Sequence, residues 1–339
     1  MKLGSKLIIN KMVSIVMPMR NALPYLHECI ESIINQTHTK WELIVVNDHS
    51  TDESLEALQA FSKKDNRITV LNTTGKGIID ALRLAYSKTK GIYITRMDAD
   101  DIMPPKKLEL MRQKLIDFPN AVVTGKIKYI GENLREGYQK YEIWMNTMME
   151  NETHYEQIYR ECVIPSPAWM IKRDLFDKID GFNPNTYPED YDLTLRMYKS
   201  NIPIKSVKEI VHIWRDYQER TSRNDPNYAF NTFEVLKTQY FLNINYDKSK
   251  TLVLWGGGKK GKNIAKLLIE YKIQFIFACN NPKKINQEIY GLNMENIDTI
   301  FESNQSYQSI IAVANPDDQI EIKKTLNNTL KNVEAFWFC

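Results

Sequence analysis

From residue 12 onward, short β-branched apolar runs alternate with stretches whose apolar positions recur every three to four residues. VSIVMP, the run Leu23 to Ile34, WELIVVND and the run Thr51 to Ser62 read as strand, helix, strand, helix. RITVLN, a helix from Ile78 to Lys88 and GIYITRMD continue the series. Such alternation predicts an α/β fold with a mostly parallel sheet, because strands apolar on both faces must be covered on both faces. Ligands of these sheets bind beyond the carboxyl ends of the strands. Those ends carry Pro18-Met19-Arg20-Asn21, Asn47-Asp48-His49-Ser50-Thr51-Asp52 and Asp98-Ala99-Asp100-Asp101, all polar or turn-forming.

A helix between Pro104 and Asp117 and the strand AVVTGKIKYI follow, and then a less regular, Met- and Tyr-rich region from Gly131 to Arg160. Its Trp144, Met145, Met148 and Met149 either pack inside or line an acceptor groove; the usual burial of large apolar side chains favours packing. Next come a strand AWMIK, a short helix from Arg173 to Ile179, the turn Asp180-Gly181 and a helix opening near Pro188-Glu189-Asp190. Composition breaks after Asn243. A polar joint, Asp247-Lys248-Ser249-Lys250, leads into TLVLWGGGKKGKNIAKLLIEY, which restarts the strand, glycine turn and helix pattern. The expected domains are 1–245 and 246–339.

Length agrees, since 339 residues at roughly 150 per domain make about two domains. With 45 basic and 42 acidic residues the net charge is +3, which offers no footprint for nucleic acid. Four cysteines without C-x-x-C spacing indicate neither a zinc site nor a disulfide framework. Leu7-Ile8-Ile9 is too short for a signal-peptide core, and no stretch approaches the roughly 18 apolar residues of a membrane span. The expectation is a cytoplasmic protein, with peripheral contact to the inner membrane face and homo-oligomerisation left open.

Asp98 and Asp100 stand directly after an apolar strand and before a Pro-started helix. Two carboxylates at i and i+2, fixed at a strand end, suit a hard divalent cation whose remaining ligands are phosphate oxygens and water. A solvated acidic turn is the plainer reading of D-x-D alone. A calcium loop starting at Asp98 would put Glu109 at its twelfth position but Met103 where the sixth needs glycine.

Three ordered segments, VSIVMPMRNALPYLHECIESIINQTHTKWELIVVNDHSTDES, TRMDADDIMPPKKLE and GFNPNTYPEDYDLTLRM, give residues 12 to 222 a resemblance to the family 2 glycosyltransferases of the GT-A fold. The resemblance implies inverting transfer of a sugar from a nucleoside-diphosphate-sugar donor, with Mn²⁺ or Mg²⁺, to a hydroxyl of a saccharide or lipid-linked saccharide acceptor. A UDP-sugar is the favoured donor and surface polysaccharide synthesis the favoured setting. By that match Pro18 and Asn21 line the nucleotide pocket, Asp48 contacts the base, Asp98 lies near the ribose and Asp100 holds the metal, with Asp98 beside it. Arg96 is assigned to the same pocket. Glu189-Asp190 matches the E-D motif, making Asp190 the base, Glu189 its support or an acceptor contact, and Asp192 a substitute. Taken alone, these acids equally suit the first turn of a helix. HIWRDYQERTS resembles the segment after the last strand, where many relatives have Arg followed two residues later by His; here the pair is Arg215 and Tyr217. His212 reads as an ordinary strand residue or as a differently placed imidazole. Membrane helices and a Q-x-x-R-W signature are missing, which favours single-sugar addition.

The second domain carries G-x-G-x-x-G at Gly256, Gly258 and Gly261, but its second strand ends in Cys279-Asn280-Asn281 without the acid that would hold a ribose. A smaller Rossmann-like accessory module with a packing or anion-binding role is expected, no tight NAD site, and Lys259, Lys260 and Lys262 read equally as a solvated face. Two other functions compete with the first. A sugar nucleotidyltransferase would need a Gly-rich basic loop after the first strand, and a catalytically inactive nucleotide-sugar-binding scaffold would have no need of Asp98, Asp100 and Asp190 together.

Overall fold

The structure, a computed structural model, describes residues 12–132, 134, 136–218, 228, 230–301, 305–328 and 330–339. The run Leu7-Ile8-Ile9 and residues 219–222 of the third motif's downstream segment lie outside them. The chain divides into two compact units, Met1–Glu156 with Val163–Asn224, and Gln157–Cys162 with Asp225–Cys339. The second unit thus opens ahead of residue 245 and takes in a helix, Phe230–Ile244.

In the first unit, β1 (Val13–Met19), α1 (Leu23–Ile34), β2 (Trp41–Asn47), α2 (Ser54–Lys64), β3 (Ile68–Asn72), α3 (Ile78–Ser87) and β4 (Tyr93–Arg96) realise the expected alternation. After them come α4 (Lys107–Asp117), β5 (Val122–Ile130), α5 (Glu136–Asn151), β6 (Trp169–Lys172), α6 (Arg173–Lys178), α7 (Glu189–Lys199) and β7 (Ile204–Arg215). The sheet runs β3-β2-β1-β4-β6-β5-β7. Within this sheet β6, antiparallel to β4 and β5, departs from the parallel pairing of the other described strands.

The central strands are apolar because nothing wet touches them. Val13, Ile15, Val16 and Met17 of β1 and Leu43, Val45 and Val46 of β2 are fully buried, each worth roughly 1.5–3 kcal/mol relative to exposure. Pro18 sits inside β1, yet β1 stops pairing with β4 at Val16↔Arg96. Its missing N–H, which faces that side, therefore breaks no ladder bond.

The region from Gly131 to Arg160 is more regular than its composition suggests, since α5 occupies sixteen residues of it. Met145, Met148 and Met149 are buried and Trp144 half-buried, so the methionines pack. The helix also repairs an irregular ladder. Pairing of β5 with β7 shifts register on both sides of Lys126, and there the Asn146 amide accepts from Ile127 N and donates to Ile127 O, both at 2.9 Å. A side chain thus satisfies the backbone that a bulge leaves unpaired.

The second unit holds α8 (Phe230–Ile244), β8 (Thr251–Trp255), α9 (Lys259–Glu270), β9 (Ile276–Cys279), a small hairpin of β10 (Glu288–Ile289) and β11 (Leu292–Asn293), β12 (Glu295–Asn296), β13 (Tyr307–Ile311), α10 (Pro316–Asn328) and β14 (Val333–Trp337). Its parallel sheet is ordered β12-β9-β8-β13-β14 around Val253, Ala278 and Ile311. No disulfide joins the four cysteines. No described helix is long and apolar enough to cross a membrane.

Candidate active site

The loops after β1 and β2 are tied together by polar side chains at the carboxyl edge of the sheet. Asn21 adopts φ 50°, a left-handed conformation that asparagine tolerates better than most residues. Its amide oxygen accepts from Thr51 N at 2.7 Å, while its own N–H donates to Ser50 Oγ. Ser54 Oγ and the Asp52 carboxylate accept from Ala22 N and Leu23 N at 2.9 and 3.2 Å, satisfying donors at the start of α1. Asp48 is buried and accepts from Gly77 N at 3.1 and 3.3 Å through its two oxygens. Gly77, at φ 93°, opens α3 in a conformation that a side chain would strain. Sequence reasoning passed over this glycine, although Gly75-Lys76-Gly77 after a strand was a visible turn signal.

The first acid of the D-x-D and the E-D pair, 91 residues apart, meet across one guanidinium. Arg96, at the end of β4 and almost fully buried, donates from Nε to Asp98 Oδ1 at 2.8 Å and from Nη1 to Glu189 Oε1 at 3.0 Å. A buried cation held by two carboxylates fixes both in place. Arg96, expected in the nucleotide pocket, is bonded here to two protein acids.

Asp100 and Asp101 divide two tasks. Asp100 is half-buried and its Oδ2 accepts from Tyr217 Oη at 2.7 Å, while Arg215 Nε donates to its carbonyl at 3.1 Å. Tyr217 packs on Tyr25, with ring centroids 4.9 Å apart, and the Arg215 guanidinium lies 4.7 Å from the Tyr25 centroid. Asp101 is fully buried; it accepts from Arg215 N at 2.8 Å and meets His212 Nε2 at 3.0 Å. His212 therefore belongs to the frame beneath the acidic turn, as an ordinary strand residue would.

The first turn of α7 presents three acids. Glu189 holds Arg96, and Asp192 accepts from Arg196 Nε at 2.8 Å. Asp190 lies half-buried between them, its carboxylate accepting from Tyr191 N at 2.8 Å. Arg196 also donates to the carbonyls of Ile179 and Gly181, so Asp192 anchors the turn that precedes α7.

Beneath the acidic turn lies Lys107, which sequence reasoning missed because a lysine opening a helix reads as solvated. It is wholly buried, with Nζ donating to Pro167 O at 2.5 Å. Burial lowers its pKa to about 7 against the opposing pull of Asp98 and Asp101. The unfolded chain, with a lysine pKa near 10.4, binds more protons between about pH 7 and 10, so this residue makes stability rise with pH there. Urea unfolding should show the wild type gaining roughly 2 kcal/mol on Lys107→Met between pH 7 and 9. A constant difference would mean that Lys107 stays charged.

Asp98 and Asp100 thus stand at the carboxyl end of β4, Pro18 and Asn21 at that of β1, Asp48 at that of β2, and Glu189 joins them through Arg96. Among the described residues no group of three or more His, Cys, Asp or Glu side chains could hold a metal by itself.

Residues 14–180 match the family model for glycosyl transferase family 2. Glycosyltransferase GlyG of Streptococcus pneumoniae is 28% identical over 216 residues, covering 61% of this chain and 71% of that protein. The crystal structure of S. aureus TarS 1-349 in complex with UDP-GlcNAc superposes with a TM-score of 0.55 at 18% identity, over 76% of this chain and 71% of TarS 1-349. The mannosyltransferase PcManGT from Pyrobaculum calidifontis, in complex with GDP-Man and Mn²⁺, gives 0.51 at 17% identity, over 77% and 70%. With its strand-end loops, acidic turn and sheet order already in place, the chain belongs to glycosyltransferase family 2 and has the GT-A fold.

Proposed function

We propose that this glycosyltransferase is a metal-dependent, inverting enzyme that moves a sugar from a nucleoside-diphosphate donor, a UDP-sugar in our reading, to a hydroxyl of a saccharide or lipid-linked saccharide. The observation that carries the reading is Arg96, whose buried guanidinium ties Asp98 of the donor loop, itself half-buried, to Glu189 of the acceptor-side helix. Donor and acceptor chemistry thereby share one frame.

In this reading the nucleotide lies along the carboxyl ends of β1, β2 and β4. Asp48, oriented by Gly77 N–H, accepts from the base, and Asp98, oriented by Arg96, accepts from the ribose. The donor set fits a small hard cation. Asp100, with Asp98 beside it, supplies the one or two carboxylates typical of Mg²⁺ or Mn²⁺, which complete their shells from phosphate and water. Such a cation, when bound, neutralises charge on the departing diphosphate. Asp190 takes the proton from the acceptor hydroxyl as that oxygen bonds to the anomeric carbon on the face opposite the diphosphate, which leaves with the electron pair of the broken C–O bond. Attack from the opposite face inverts the configuration.

A donor panel tests the reading. Release of nucleoside diphosphate should depend on one nucleotide sugar and on added Mn²⁺ or Mg²⁺, and should rise with acceptor. No metal-dependent release from any UDP-, GDP- or dTDP-sugar would favour the non-catalytic scaffold.

A further inference from the structure

The second unit contains a cavity of about 360 Å³ that the transfer reaction does not use. Three lysines line it, Lys259 and Lys262 from the first turn of α9 and Lys284 from the loop after β9, and no carboxylate does. Among the described residues none of the three forms an ion pair. Lys284 donates to Gly257 O at 2.9 Å, which pins its ammonium at the rim. Three unneutralised cations around one hollow repel one another, and a multiply charged anion relieves that repulsion.

The glycines of G-x-G-x-x-G sort by cause. Gly256 has φ 140°, and a Cβ there would lie 2.6 Å from Ala312 O; at Gly261 it would lie 1.8 Å from Gly256 O. Packing explains both. Gly258, which lines the cavity, is extended at φ −80° and ψ −175°, and a Cβ there would meet nothing within 4 Å. Neither conformation nor packing requires glycine at this place. A bare backbone beside cationic walls lets a phosphate approach closely, and no side chain of Gly258 caps the N–H groups that open α9.

We infer that this cavity binds a diphosphate-bearing small molecule through the three lysines and the backbone at Gly258. The ligand is not a nicotinamide dinucleotide. The strand that would supply a ribose acid ends in Cys279, followed by Asn280 and Asn281, and Asn281 spends its side-chain oxygen on Lys283 N at 3.0 Å. Tyr290, exposed at the tip of the β10–β11 hairpin, forms another wall, beneath Lys266 at 4.9 Å from its ring centroid.

Calorimetry on the intact protein in EDTA, with inorganic pyrophosphate, UDP and NAD as separate probes, tests this. Pyrophosphate should bind saturably, and its affinity should fall at least tenfold in Gly258→Val and in the double variant Lys259→Ala/Lys262→Ala, with the thermal midpoint unchanged in each. UDP binding weakened by the same variants would place nucleoside diphosphates among the ligands. Absence of saturable pyrophosphate binding, or binding that both variants retain, would reduce the lysines to a solvated face and overturn the inference. NAD binding tenfold tighter than pyrophosphate and dependent on Gly258 would overturn the ligand assignment.

Discussion

Asp100→Ala is expected to lower sugar transfer by roughly 10³-fold, about 4 kcal/mol of transition-state stabilisation, while the protein remains folded. The structural load beneath the acidic turn is carried next door, by fully buried Asp101 with His212 and the Arg215 amide. Asp100 carries a half-buried carboxylate whose partner, Tyr217, is itself at the site. Tyr217→Phe removes one hydrogen bond to that carboxylate and should cost about tenfold. Steady-state kinetics across a Mn²⁺ titration separate the two: added metal restores Tyr217→Phe in part and leaves Asp100→Ala inactive. Turnover of the wild type in excess EDTA would end the metal-dependent mechanism.

Much of the first unit was legible because its strands are buried on both faces. Continuous apolar runs such as VSIVM and LIVV leave little choice but a covered parallel sheet, and the polar residues that follow them mark the strand ends. Helix α5 was hidden by weak helix formers, with Tyr, Asn, Thr and Gly in its sixteen residues. Its period was nevertheless readable in Tyr138, Tyr141, Met145, Met148 and Met149. The role of Asn146 was not, because a bulge in a pairing of distant strands has no local signature. The same holds at the site. D-x-D and E-D are visible as short strings, whereas the Arg96 bridge between them depends on a tertiary contact across 93 residues. Tyr217, flagged as a departure from the Arg-x-His pattern, turns out to address Asp100 from that very position. Phe230–Ile244 groups with the second compact unit because it packs with α9, although its composition continues that of the residues before it.

Asp190→Asn should lower kcat by roughly 10³-fold and leave donor affinity within about twofold of wild type, since a base acts on the acceptor proton and does little to hold the nucleotide. The contrast with its neighbours makes the test specific. Glu189→Gln weakens a buried ion pair to Arg96, and Arg96 also orients Asp98, so donor affinity should fall together with kcat. Asp192→Asn loosens Arg196 from the turn at Ile179 and Gly181, so its principal effect should be on stability. Only at Asp190 do binding and turnover part company. Donor affinity measured by titration and kcat measured at saturating acceptor resolve the three variants. A near-normal kcat in Asp190→Asn would pass the base to Glu189 or Asp192, and with it would fall the reading that those two acids hold guanidinium groups in place instead of moving a proton.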